Sequence, residues 1–279
     1  MPSGRQLRKN YKHYRIVNRI ATSSFPVYNE ITMKKIQKIA AFVLGAILLV
    51  FLAFSAWASF PAPPGEASYS ALESGGLVTA VQMPGWIIFS PAVSQPETGL
   101  IFYPGGNVDF RAYSPLLWKI VQAGYVVVVP DMPFNLAVFS PNKANQIISA
   151  YPQITTWAIG GHSLGGAMAA RFALENPAAV KGLVLWASYP AASDDLSQYD
   201  LLVTSIYATN DGLTSGADIE ASRALLPTST VFVEIEGGNH AQFGDYGLQK
   251  GDKAAMITAA EQWNQVIAST LALMEKIAP

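Results

Sequence analysis

Ser163 lies in Gly161-His162-Ser163-Leu164-Gly165, a spacing that fits the G-x-S-x-G turn presenting a nucleophilic hydroxyl between a strand and a helix. The chemistry dictates the pattern. The serine must take up a strained backbone, and small neighbours let strand and helix close around it. In such a turn the amide of Leu164 points to where an oxyanion develops. A serine hydroxyl is a weak nucleophile until a base takes its proton, and the chain has three histidines. His13 lies beyond a hydrophobic segment, and His162 adjoins the serine with its side chain directed away from Oγ. His240, within residues 236–244 (EGGNHAQFG), follows the last predicted strand, where the base falls in a serine–acid–histidine chain order.

The acid must orient the imidazole and stabilise its charged form. Asp211, in residues 209–212 (TNDG), follows the penultimate predicted strand and lies between Ser163 and His240. Its rivals are Asp194 and Asp195, after the preceding strand; Asp131 precedes the serine, and chain order disfavours it. A second oxyanion donor is expected from the amide of Gly106 in residues 103–107 (YPGGN), where two glycines allow close approach to a bound carbonyl. Asp109 and Arg111 beside it are expected to pair with each other. Trp157, Trp186 and Tyr189 sit in or next to predicted strands and read as core. Tyr189, just past a strand's C-terminal end, is also placed to line a substrate pocket.

These residues need a sheet to bring them together. Residues 86–89, 99–103, 124–130, 155–159, 182–187, 201–207 and 230–235 are short apolar, β-branched runs. Helical patterns fall between them at 113–123, 143–150, 165–175 and 219–226, with one more at 254–277. The alternation predicts an α/β fold, a mostly parallel sheet with helices on both faces. Only about a dozen residues separate the strands ending near 187 and starting at 201, which leaves no room for a cap domain. The site should be shallow unless residues 131–141 cover it.

Composition narrows the classes of function. About half the residues are hydrophobic and 13% are charged, which suits a large core. The chain has no cysteine, so a disulfide framework, thiol catalysis and cysteine-ligated metal are excluded. No histidine pair has metal-ligand spacing, and the glycine-rich run 160–166 lacks the lysine of a phosphate loop; neither metal nor cofactor is expected. Residues 1–38 hold nine Lys/Arg against one acid, whereas 39–279 hold nine against eighteen. The acidic main part argues against a nucleic-acid partner.

Residues 39–60 (IAAFVLGAILLVFLAFSAWASF) carry no charge and are long enough to cross a bilayer. Lys34, Lys35 and Lys38 precede them and the next charge is Glu66, which places the following domain outside the cytoplasm. The segment is read as a membrane anchor. The alternative is a signal sequence cleaved near Ala58, for which Ala56-Trp57-Ala58 has the small-x-small form. The organisation is then a basic segment (1–38), the hydrophobic helix (39–60), a proline-rich linker (61–66) and an α/β domain (67–279).

As a set, FYPGGNVDFRAY (102–113), VVVVPDMPFNLAV (126–138), WAIGGHSLGGAMAA (157–170), GLVLWASYPA (182–191), ATNDGL (208–213) and IEGGNHAQFGDYG (235–247) resemble the α/β-hydrolase fold. The closer resemblance is to the bacterial alpha/beta hydrolase family 5 group, related to dienelactone hydrolases. It implies a serine hydrolase with Ser163, Asp211 and His240 as its triad. The missing cap and Pro104 in the glycine loop depart from better-known esterases. The expected reaction is cleavage of a carboxylic ester of a small molecule through an acyl-enzyme. A lactone or amide bond in a cell-envelope molecule, or a silent membrane-tethered binding module, are the alternatives. The oligomeric state is left open.

Overall fold

In a computed structural model, residues 30–279 are described; His13 and most of the basic segment lie outside them. The chain divides into two compact units, residues 1–51 and 52–279. Helix α1 (Glu30–Ala58) starts in the first and ends in the second. Within it Thr32–Ala58 has a mean hydropathy of 2.7 over its most apolar window, none of which is buried. That helix is long and apolar enough to cross a membrane.

The second unit is built on one eight-stranded sheet of order β1-β2-β4-β3-β5-β6-β7-β8. Its strands are β1 (Val78–Met83), β2 (Trp86–Pro91), β3 (Thr98–Tyr103), β4 (Val126–Pro130), β5 (Thr156–His162), β6 (Gly182–Trp186), β7 (Leu202–Ala208) and β8 (Val231–Ile235). β1 runs antiparallel to β2 and β2 to β4; all other pairs are parallel. The central strands β3, β4 and β6 are buried along their whole length, which is why they are continuous apolar runs rather than alternating ones.

Period-two alternation divides these runs between two cores. Phe102, Val127, Val129 and Trp186 face one side, against α3 (Ser114–Gln122) and α7 (Ala259–Ile277). Ile101, Tyr103, Val128 and Leu185 face the other, against α4 (Lys143–Ala150) and α5 (Leu164–Glu175). Trp157 and Trp186 are core residues, 3% and 0% exposed. Helix α6 (Gly216–Ser222) follows β7 and is shorter than expected, because its last turn tightens to a 3-10 helix at Arg223–Leu225. Residues 187–201 contain neither helix nor strand, so no cap stands over this end of the sheet.

Two elements escaped the sequence reading. β1 is an edge strand with only Val78 buried, so it lacks the apolar run that marked the others. Helix α2 (Glu66–Leu72) buries only Ser68. The start of α7 also differs from the expected 254, because Thr258 and Glu261 form a reciprocal capping box there.

Residues 61–66 are more than a linker. Ala62 N donates to Asn107 O at 2.8 Å, Asp109 N donates to Ala62 O at 3.0 Å, and Gly65 N donates to Asp245 O. The Asp245 carboxylate then accepts from Ser68 N (2.8 Å) and Ser68 Oγ (2.9 Å), capping α2. Asp245→Ala leaves buried Ser68 without these acceptors, an expected cost of about 1–3 kcal/mol. The melting temperature should fall by about 2–10 °C; an unchanged melting curve would contradict the capping role.

Candidate active site

Ser163 stands between the end of β5 and the start of α5 with φ 52° and ψ −125°, a region a side-chain-bearing residue rarely occupies. Packing leaves the chain no other course. A Cβ on Gly161 would meet Gly165 C at 2.6 Å and Tyr103 O at 2.7 Å, and one on Gly165 would run into the carbonyls of Tyr103 and Pro104. Ser163 N donates to Trp186 O at 3.0 Å, and Ser188 Oγ donates to Ser163 O at 2.6 Å. The strained residue is thereby tied on both its backbone groups to the end of β6 and the residues just past it.

The structure brings Asp211 and His240 together. His240 Nδ1 donates to Asp211 Oδ2 at 2.7 Å, both side chains being fully buried. The other carboxylate oxygen accepts from Leu213 N (2.7 Å) and Thr214 N (2.6 Å), which fixes the acid. With Nδ1 protonated, His240 keeps a lone pair on Nε2 for a proton. Nε2 has no hydrogen-bond partner, so the bond from Ser163 Oγ is not formed in this structure; such bonds are often long without substrate. Asp194 is taken by Arg171 Nη1 at 2.7 Å, and Asp195 accepts from Ser197 N. Asp109 and Arg111 form a two-pronged pair.

His162 is closer to the chemistry than its direction suggested. Gly105 N donates to Tyr113 Oη at 2.9 Å, so the phenol proton goes to His162 Nδ1, also at 2.9 Å. The His162 ring lies 4.5 Å from the His240 ring and stacks on Phe243. Burial first, and the neighbouring His240 second, hold its imidazole well below the ordinary histidine range. His162 is therefore a neutral buried wall behind His240.

The glycine loop sits beside the elbow. A Cβ on Gly106 would meet Leu164 Cδ2 at 3.1 Å and Leu136 Cδ2 at 3.4 Å. Gly105 N is occupied by Tyr113, whereas the amides of Gly106 and Leu164 have no internal acceptor. Gly106 also borders a cleft of about 350 Å³ that Trp57 and Leu248 line. Tyr189 lines a different cleft, with Pro190 and Asp218, which includes neither Gly106 nor Ser163. A larger one of about 560 Å³, with Val126 and Ile154, lies at the opposite ends of the parallel strands and holds none of these groups. Among the described residues no group of three His, Asp or Glu is placed to hold a metal.

Sequence reasoning missed the residues that hold the Asp211 and His240 loops. Asp252 Oδ1 accepts from Gly212 N (2.9 Å) and Asp252 Oδ2 from Ala241 N (2.8 Å), joining the residue after Asp211 to the residue after His240. Gln262, fully buried on α7, accepts from Asn239 N (3.0 Å) and donates to Asn239 O (2.8 Å). A glutamine on the apolar face of an amphipathic helix was the available signal; Asp252 left none, because it acts through backbone amides.

Residues 99–264 match the model of the alpha/beta hydrolase family. No curated protein matches the chain. Among solved structures it is similar to a proposed dienelactone hydrolase from Klebsiella pneumoniae, at 16% identity and a TM-score of 0.54, covering 71% of this chain and 98% of that one. A predicted CIB-like hydrolase from Thermoplasma acidophilum gives 15% identity and a TM-score of 0.54, over 70% and 98%. At these identities the likeness is one of fold.

Removing the Asp252 bridge should misplace base against acid without emptying the core. Asp252→Ala is expected to lower kcat by about 10–100-fold with KM little changed; a change confined to KM would contradict this positioning role. His162 predicts a pH effect on stability. Its folded pKa is depressed, so its stability is full above the ordinary histidine value near 6.5 and is lost as pH falls through the folded value. Melting temperature should therefore drop below about pH 6.5 more steeply in the native protein than in His162→Asn. Parallel curves would show that His162 protonates freely.

Proposed function

The chain belongs to the alpha/beta hydrolase family, and from that premise we propose that it is a serine hydrolase cleaving carboxylic esters through an acyl-enzyme. The observation that carries this reading is the buried Asp211–His240 hydrogen bond beside a serine in the strained elbow conformation. His240 Nε2 takes the proton of Ser163 Oγ as the oxygen attacks the ester carbonyl. The Asp211 carboxylate holds Nδ1–H and balances the imidazolium charge. The tetrahedral oxyanion accepts from the unoccupied amides of Leu164 and Gly106. The imidazolium returns its proton to the departing alkoxide, leaving an acyl-serine. Water, deprotonated by the same imidazole, then releases the acid and restores the serine. These steps call for no metal or cofactor.

The apolar helix supports a membrane-tethered enzyme, and Lys34, Lys35 and Lys38 before the span support an extracytoplasmic catalytic unit. The open end of the sheet supports a substrate that needs no enclosing cap.

Hydrolysis of short p-nitrophenyl esters tests the assignment. Ser163→Ala should abolish turnover, and Asp211→Asn should lower kcat by about 10⁴-fold with the fold intact by circular dichroism. Turnover that persists in Ser163→Ala would overturn the serine mechanism.

A further inference from the structure

The apolar surface beside the candidate site is continuous with the helix that ends in it. Residues 132–141 (MPFNLAVFSP) carry no charge, and Phe134, Val138 and Phe139 are 45%, 49% and 52% exposed. Large apolar side chains grouped this way on a soluble surface mark an interaction site. The last turns of α1 pack against them. The Phe54 ring lies 5.7 Å from Phe134 and 6.0 Å from Phe139, and Asn135 Nδ2 donates to Ala58 O at 2.8 Å. Asn107 N donates to Asn135 O at 2.9 Å, and Tyr103 Oη donates to Pro141 O at 2.8 Å. The loop is thus fastened to the helix end on one side and to the glycine loop on the other.

The same contacts lead to the oxyanion position. Trp57, half exposed at the end of the apolar run, lines the 350 Å³ cleft together with Gly106. Leu248 on its rim is 95% exposed, and Lys250 is its one ionisable lining residue. A tryptophan at the end of a membrane helix sits at the level of the head groups. Because Trp57 and Gly106 line the same cleft, a head-group level at Trp57 would lie beside Gly106. An ester carried in a bilayer fits this arrangement. Its acyl chain stays against apolar side chains as the carbonyl reaches Gly106, and Lys250 faces an anionic head group.

We propose that the 132–139 loop, with Trp57 and Leu248, rests on the membrane surface and that the substrate is a membrane-resident acyl ester. The proposal rests on the serine-hydrolase reading above and on α1 being retained as an anchor. It gives the exposed rings an occupant, the lipid into which their own helix runs.

The absence of cysteine allows single labels on the full chain. Val138→Cys and Val93→Cys, the latter 84% exposed on the β2–β3 connection, would each carry a bimane. Both would be reconstituted in phosphatidylcholine–phosphatidylglycerol vesicles containing lipid brominated on its acyl chains. The Val138→Cys label should lose emission while the Val93→Cys label keeps it; equal emission at both sites would overturn the docking. In the second arm, Val138→Gln/Phe139→Gln should slow hydrolysis of a long-chain p-nitrophenyl ester held in the vesicles by about tenfold. Its rate on dissolved p-nitrophenyl acetate should stay unchanged. Equal loss, or no loss, on both esters would overturn the substrate class. A native protein inactive on both esters would instead sink the hydrolase reading, and the quenching arm would still decide the docking.

Discussion

The backbone of Ser163 is the constraint on which the site depends. A residue at φ 52° and ψ −125° costs on the order of 1–3 kcal/mol and persists only where its surroundings over-determine it. Here they do. Gly161 and Gly165 admit the carbonyl of Tyr103 to distances no side chain would allow, and from the other side Ser163 is held by Trp186 O at the end of β6 and by Ser188 Oγ just past it. The core stabilises the strain, and the strain aims a hydroxyl out of the C-terminal edge of a parallel sheet, where ligands of such sheets bind.

The proposed acid and base are prepared by different means. Asp211 is held by two backbone amides and the imidazole, with no cationic side chain paired to it. His240 is fixed through its loop, by Gln262 from α7 and by Asp252 from the segment before it. Behind it His162, kept neutral by burial and by its twin, adds no charge that would oppose protonation of the base. The unpartnered Nε2 of His240 is the vacancy a proton from serine would fill.

Much of this was legible because the buried features are the ones that write themselves into composition. Val126–Pro130 reads as a strand because both its faces are covered, and the elbow reads because only small residues fit at 161 and 165. β1 did not read, since one buried valine among six residues leaves no period. Asp211 was separable from Asp194 only by the strand it follows, since both lie between Ser163 and His240; the structure adds that Arg171 occupies Asp194. Asp252 and the strap at Ala62 were invisible, because their partners are backbone amides and carbonyls distant in sequence. The shared contacts of Phe54 with Phe134 and Phe139 likewise join segments some eighty residues apart.

On the proposed reading, the apolar helix, the uncapped sheet edge and the strained serine form one device, an esterase whose site opens near the membrane that holds it. Its chemistry stands or falls on whether Ser163 is nucleophilic. The direct measurement is treatment of the full-length protein with a fluorophosphonate, followed by mass mapping of its peptides. A single phosphonyl adduct on Ser163, lost in His240→Gln, is the predicted result. An unmodified Ser163, or an adduct that forms equally without His240, would contradict it.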